Sequence, residues 1–116
     1  MLFIETPAFT RQITALLSDD EYGQLQQALI AHPESGVLIR DTGGLRKLRW
    51  RVSGRGKSGG LRVIYYWVTA NHHIRLLLVY RKGIKDNLTA AERQTLRAIN
   101  ERWQPANQTA SPYIRH

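Results

Sequence analysis

The segment Leu45–Val52 reads Leu-Arg-Lys-Leu-Arg-Trp-Arg-Val, so that apolar and basic residues alternate along it. Successive side chains of a β-strand point to opposite faces, which predicts a strand with an apolar face toward a core. The opposite face then carries three cations, Lys47, Arg49 and Arg51. Cations two residues apart lie roughly 7 Å from one another along a strand, a spacing that suits successive phosphates of a nucleic acid. The segment therefore predicts a sheet with one core face and one anion-binding face.

Positive charge is concentrated around this strand. The span from Arg40 to Arg62 holds eight Lys and Arg residues against a single acid, Asp41. The whole chain has 17 basic and 9 acidic residues, for a net charge of +8. Such a balance favours polyanionic partners, namely RNA, DNA or an acidic membrane surface. Because the charge is clustered, a nucleic-acid-binding sheet is the leading interpretation.

The length of 116 residues and the apolar fraction of 42% fit one domain. We expect this domain to cover residues 1–103 and residues 104–116 to form a polar C-terminal tail. The chain has no cysteine, which excludes disulfides, a thiolate nucleophile and a zinc finger. The N-terminus lacks the features of a signal peptide, and no apolar run reaches the roughly 20 residues of a transmembrane helix. A cytoplasmic protein without membrane association is expected.

The remaining elements follow from periodicity and capping signals. A short strand is predicted at 2–5, and Pro7 stands where a first helix begins. Ser18 and Glu21 form a capping box that opens a second helix, which stops before Pro33. The period then changes from 3.6 to 2, giving strands at 45–52, 61–69 and 74–82. A second capping box, Thr89 with Glu92, opens a last helix that is predicted to turn three apolar residues toward the sheet: Leu96, Ile99 and Trp103.

These elements predict the α+β class. Three sequential strands with short links form an antiparallel meander, and the N-terminal strand joins it in a small antiparallel sheet. A helical hairpin and a C-terminal helix complete the domain. All helices are expected on one face of the sheet.

Several kinds of chemistry are disfavoured by the residues. The string Gly56-Lys57-Ser58 is similar to a P-loop, but Arg51 occupies the position of its first glycine and a strand follows instead of a helix. This excludes the interpretation as a P-loop NTPase. It leaves a glycine-rich loop that could close over a phosphate backbone or be only a mobile connection. The carboxylates are dispersed, so no two-metal site is expected, and no histidine lies where a general base is needed. We expect neither a metal nor a cofactor.

The end of the last strand offers a proton-transfer group. Tyr80 and Lys82 are predicted to share a face beyond the apolar part of that strand. Neighbouring cations favour the charged form of a tyrosine and the neutral form of a lysine, which eases proton transfer. The alternative is a tyrosine packed at a sheet edge beside solvated cations. Arg62 lies at another strand end, beside the glycine loop, where it can reach a phosphoryl oxygen.

Three segments together resemble a known family: Gly43–Arg49, Gly56–Tyr66, and Leu78–Lys82 running on to Thr89. They are similar to toxins of bacterial type II toxin-antitoxin modules, most closely the HigB branch of the RelE/ParE superfamily. The resemblance extends through Trp103, and its order of elements agrees with the order predicted above. It implies a RelE-like fold and a ribosome-dependent mRNA endonuclease that enters the A site and cuts without a metal.

The resemblance also implies roles for individual residues. Lys47 and Arg49 match basic strand residues that hold phosphates of mRNA and ribosomal RNA, and Arg62 matches an arginine at the scissile phosphate. Tyr80 and Lys82 match residues of the last strand that act as base and acid. Arg51 and Lys57 extend the predicted RNA-binding set: Lys47, Arg49, Arg51 and Lys57. The catalytic set is Arg62, Tyr80 and Lys82.

The resemblance implies partners as well. These are the ribosome with its mRNA and a cognate antitoxin with a helix-turn-helix fold. Two other functions stay open at this point: a non-catalytic ParE-like toxin that inhibits DNA gyrase, and a plain RNA-binding domain. A concave cluster of the site residues would favour the nuclease, and a flat basic face would favour a binder.

Overall fold

The computed structural model describes residues 1–52, 54, 59–70, 72–84 and 87–103. Its elements, in chain order, are β1 (Leu2–Glu5), α1 (Pro7–Leu16), α2 (Asp19–Ala31), β2 (Val37–Leu38), β3 (Arg46–Arg51), β4 (Gly60–Val68), β5 (His73–Arg81) and α3 (Ala90–Glu101). The predicted α+β class is confirmed. Each strand of the meander begins and ends within one residue of its predicted bounds.

The strands form one sheet with the order β1-β5-β4-β3-β2. Strands β3, β4 and β5 make the predicted antiparallel meander, whereas β1 pairs with β5 in parallel. The two-residue strand β2 pairs with β3 at the far edge and was not predicted. Its residues, Val37 and Leu38, are both exposed, so the sequence shows no buried face there. A bulge at Ile64/Tyr65 shifts the register between β4 and β5.

The helices begin where the capping signals predicted. The hydroxyl of Thr6 accepts a hydrogen bond from the amide of Phe9 at 3.0 Å, with proline in the first turn of α1. Both capping boxes are present in full, at the start of α2 and at the start of α3. In each box the Ser or Thr hydroxyl accepts from the backbone three residues on, and the Glu carboxylate accepts from the cap amide. Short-range chemistry therefore sets these boundaries.

The sheet has a core on each face, which corrects the expectation that all helices lie on one face. Helices α1 and α2 bury Phe9 and Leu25 against Val63 and Tyr65 of β4. The other core gathers Leu45, Ile64, Leu77, Tyr80, Leu88 and Leu96. Because neighbouring residues of β4 point to opposite faces, α3 packs on the face opposite to the helical hairpin. The central strands are apolar on both faces, as a strand covered on both sides requires.

The C-terminal end of α3 is fixed to the sheet by an arginine. The guanidinium of Arg75 lies 5.5 Å from the ring centre of Tyr66 and 5.3 Å from that of Trp103. It also donates to the carbonyl and side-chain oxygens of Asn100, at 3.1 and 2.9 Å. Trp103 thus faces the sheet as predicted, but Ile99 is 41% exposed and that prediction is wrong. Asn100 occupies the position of α3 that faces the sheet, and its neighbour Ile99 therefore points away from the sheet.

In the described residues, no helix is long and apolar enough to cross a bilayer.

Candidate nucleic-acid interface

The strand register brings basic residues of β3 and β4, together with Tyr80 of β5, onto one face. Arg49 of β3 lies opposite Arg62 of β4, and Arg62 lies opposite Tyr80 of β5. Lys47 lies opposite Ile64, which belongs to the core beneath α3. The cations of β3 therefore share a sheet face with α3, while Leu48, Trp50 and Val52 pack against the opposite core. The alternation predicted for β3 is confirmed.

A cleft of about 240 Å³ opens at the end of this face. It is lined by Arg49, Trp50, Arg51, Gly60, Arg62 and Lys82. Four of these side chains, from β3, from β4 and from the residue after β5, belong to the predicted site. We refer to this group of Arg49, Arg51, Arg62 and Lys82 as the cationic cleft. Several positive charges converging on one concave surface repel one another in the free protein and are stabilised by a bound anion.

Gly60 allows the Lys82 side chain to lie across the floor of the cationic cleft. The backbone amide of Lys82 donates to the Gly60 carbonyl at 2.9 Å. A Cβ at position 60 would lie 3.3 Å from the Cδ and 3.4 Å from the Cβ of Lys82. A side chain at this position would press against the lysine stem. The aliphatic stem of Lys82 thus lies against Gly60, and Lys82 lines the same cleft as the arginines.

Lys47 lies two residues along β3 from the cationic cleft. Partial burial, and then the charges of Arg49 and Arg62, lower the pKa of the Lys47 ammonium. Desolvation and neighbouring positive charge both disfavour the protonated amine. A lysine of this kind is a stronger candidate for proton transfer than the sequence indicated, because the sequence assigned Lys47 only to phosphate binding.

Tyr80 is more deeply packed than its predicted role requires. Its ring belongs to the core beneath α3, with Leu88 and Leu96, and the residue is 7% exposed. Its neighbour across the sheet is Arg62. The ring packs in a core within the sheet, since β5 lies between β1 and β4, and the strand position adjoins the cationic cleft.

The predicted RNA-binding residue Lys57 lies outside the described residues, as does Arg55 of the same glycine-rich segment.

A second cavity, which the sequence did not predict, adjoins Lys47. It has a volume of about 130 Å³ and is lined by Ile39, Lys47, Asn87, Leu88 and Arg93. Arg93 stands three residues before Leu96 on α3, so helical periodicity puts it on the inner side of the helix. That spacing was the available signal. The sequence did not indicate that Arg93 lies beside β3, because this depends on α3 covering the basic face of the sheet.

Among the described residues, no three His, Asp or Glu side chains lie close enough together to hold a metal ion.

Comparison with known proteins gives two results. Residues 6–111 match the family model described as the RelE toxin of the RelE/RelB toxin-antitoxin system. The fold is similar to that of the E. coli toxin RelE, solved in the free state as a mutant with two arginine-to-alanine substitutions. The TM-score is 0.52 at 16% sequence identity, and the match covers 84% of this chain and 94% of that one. At this identity the structural likeness concerns the fold alone.

Proposed function

This chain belongs to the RelE toxin family of RelE/RelB toxin-antitoxin systems, and from that membership we propose that it is a ribosome-dependent mRNA endonuclease of the HigB branch. It enters the ribosomal A site and cuts the codon there. The 2′-hydroxyl attacks the adjacent phosphate, and no metal or cofactor takes part. We propose that it acts in the cytoplasm through a single domain covering residues 1–103.

The observation that carries this proposal is the concave arrangement of the cations. Arg49, Arg51, Arg62 and Lys82 line one cleft, which is the geometry that favours a nuclease over a flat RNA binder. Attack on a phosphodiester needs in-line alignment and stabilisation of the charge that develops on the phosphorane. Fixed cations that surround one phosphate supply both.

The cations have three kinds of role in the proposed reaction. Arg62, in the centre of the sheet between β3 and β5, stabilises the phosphorane oxygens. Lys47, Arg49 and Arg51 hold the phosphates of the mRNA, and Lys57 extends this contact. Lys82 gives a proton to the leaving 5′-oxygen or adds a second positive charge.

Two side chains are candidates for the general base that removes the 2′-hydroxyl proton. Tyr80 adjoins Arg62 across the sheet and is the base that the family resemblance suggests. The lowered pKa of Lys47 supports its neutral amine as the other candidate. Replacing each of them separately distinguishes the two.

The proposed partner in the resting cell is a helix-turn-helix antitoxin. RelE toxins pair with RelB antitoxins. An antitoxin that covers the cationic cleft, or that blocks entry into the ribosome, would silence the toxin. The high positive charge of the cleft predicts an acidic surface on the antitoxin.

Primer extension on a translated reporter mRNA after induction of the protein tests the proposed function. We expect new 5′ ends in register with codons, and none when translation initiation on the reporter is blocked. If the mRNA stays uncut and the protein inhibits DNA supercoiling by gyrase, the ParE-like function would be supported and the nuclease function would be refuted. Uncut mRNA with RNA binding alone would leave a plain RNA-binding domain.

A further inference from the structure

The cavity beside Lys47 combines apolar walls with hydrogen-bonding groups. Ile39 and the buried Leu88 supply apolar surface, and Asn87, Lys47 and Arg93 supply polar groups. At about 130 Å³ the cavity exceeds several-fold the roughly 30 Å³ of a water molecule in the liquid. A phosphate would gain nothing from the two apolar walls. A flat, partly apolar ring with a polar edge would contact every group in the cavity.

The backbone of Ile39 and the side chain of Arg93 are held in place before any ligand binds. The Ile39 amide donates to the Leu45 carbonyl at 2.9 Å, and its carbonyl accepts from the Thr42 hydroxyl at 2.6 Å. The guanidinium of Arg93 donates through one Nη to the Leu88 carbonyl at 2.9 Å. A guanidinium has five N–H donors in a planar fork, so this bond orients Arg93 and uses one donor. Preorganised groups of this kind favour a specific ligand.

The position of the cavity relates it to the cationic cleft. Lys47 lines the cavity and stands two residues before Arg49, which lines the cationic cleft, so the two side chains lie roughly 7 Å apart on the same face of β3. A nucleic-acid strand that ran along this face from the cationic cleft toward Lys47 would pass the cavity. The cavity and the cationic cleft are therefore neighbours on one face of the sheet.

We propose that the cavity of Ile39, Lys47, Asn87, Leu88 and Arg93 binds one nucleobase beside the scissile phosphate, and that its preferred base is guanine. Arg and Lys donate only, and guanine presents two adjacent acceptors, O6 and N7, to such donors. The ring packs between Ile39 and Leu88, and Arg93 and Asn87 contact its edge. This inference deepens the proposed nuclease function by adding residues that determine specificity for the codon.

Binding is measured first, because it does not depend on cleavage. The full chain, labelled for NMR, is titrated with four dinucleotides that share a 2′-O-methyl uridine at the 5′ position and differ in the second base. The 2′-O-methyl group removes the attacking hydroxyl. We expect the guanine dinucleotide to bind about tenfold or more tightly than the pyrimidine ones, and to shift the Ile39 methyl and Asn87 side-chain amide signals.

Arg93→Lys tests the proposed contact, because it keeps the charge and loses the planar fork. The preference for guanine should fall at least severalfold while the affinity for uracil changes little. Arg97→Lys is the matched control, since Arg97 lies one turn further along α3 and pairs with Glu101 at 2.8 Å outside the cavity. Its preference should equal that of the unmodified chain. Asn87→Ala is a second variant that removes a side chain proposed to contact the same edge of the base.

The results separate failure of the cavity from failure of the nuclease. Equal affinity for all four dinucleotides, or a guanine preference that survives Arg93→Lys, overturns the base site even if mRNA is cut efficiently. Guanine binding by a chain that leaves ribosomal mRNA uncut overturns the proposed function and keeps the cavity as a nucleotide site. Where cleavage occurs, mapped cuts in Arg93→Lys should be redistributed away from guanine, whereas the cuts made by Arg97→Lys should keep the original distribution.

Discussion

Replacing Arg62 with alanine is the most direct test of the cationic cleft. The guanidinium lies between Arg49 on one neighbouring strand and Tyr80 on the other, at the centre of the site. Its recorded side-chain hydrogen bond is a 3.3 Å contact from Nη1 to the Leu61 carbonyl. Because this contact with a described residue is long, we expect the free energy of unfolding to change by less than about 0.5 kcal/mol.

The effect on catalysis should be much larger. Two unit charges about 4 Å apart attract by about 4 kcal/mol at the effective dielectric constant of about 20 that suits a protein surface. Removing one group that stabilises developing charge typically costs about 2.7 to 4 kcal/mol of transition-state stabilisation. Because the other cations of the cleft remain, we take the lower end of this range. The expected loss is about a hundredfold in the rate of the chemical step.

The assay is single-turnover cleavage of mRNA on programmed ribosomes, with ribosome affinity measured in parallel. Arg11→Ala is the matched control, because Arg11 is an exposed arginine on α1, across the sheet from the cleft. It makes the same change in net charge and should cleave at the unmodified rate. If Arg62→Ala folds, binds ribosomes and cuts as fast as Arg11→Ala, Arg62 is only a surface cation and the proposed transition-state role is refuted.

Five further outcomes are expected. Replacing both Lys47 and Arg49 with alanine should flatten the dependence of ribosome affinity on salt by about one unit of slope per lost phosphate contact, and an unchanged slope would move the RNA-binding surface elsewhere. Tyr80→Phe should bind ribosomes normally and cleave far more slowly if the phenol is the base, whereas full activity would transfer that role to Lys47. Lys82→Arg should restore the activity lost in Lys82→Ala only if Lys82 acts as a charge, since arginine does not release its proton. Because the pKa of Lys47 is lowered, the folded chain binds the proton of its ammonium group less tightly than the unfolded chain does. The free energy of unfolding therefore rises as the pH increases from the lowered pKa toward the ordinary value of 10.5. Lys47→Met should therefore raise the Tm at pH 7, with a gain that shrinks toward pH 10.5 in thermal denaturation, while cleavage falls. Tyr65→Phe should lower stability by about 2 kcal/mol without slowing cleavage, because its buried hydroxyl donates to the Pro33 carbonyl at 2.7 Å and accepts from the Gly36 amide at 2.8 Å; an unchanged Tm would show that another donor and acceptor replace it.

The sequence was sufficient for the elements whose signals are local. Capping boxes at Ser18 and Thr89, proline at position 7 and the alternation of β3 each act over a few residues, and each was confirmed. The spacing of Lys47, Arg49 and Arg51 on one face of β3 was equally local. Such features are determined by backbone geometry and neighbouring side chains, which the linear order of residues contains.

The tertiary structure decided what the sequence left open, because those features depend on residues far apart in the chain. The short strand β2 exists only because β3 offers it an edge, and its exposed Val37 and Leu38 carry no periodic signal. The apolar runs of β4 and β5 allow both faces of these central strands to be buried. They do not specify which helix covers which face, so the position of α3 was known only from the structure.

The site divides in the same way. The sequence identified the cations but not their arrangement, since Arg49, Arg62 and Lys82 meet only through the register of three strands. Arg93 joins Lys47 only because α3 lies over the basic face, and an arginine in the second turn of a helix gives no sign of this on its own. The charge and the periodicity of the residues can be read from the sequence. The concave shape of the site, the partial burial of Lys47 and its lowered pKa arise only when strands and a helix that are distant in sequence pack together.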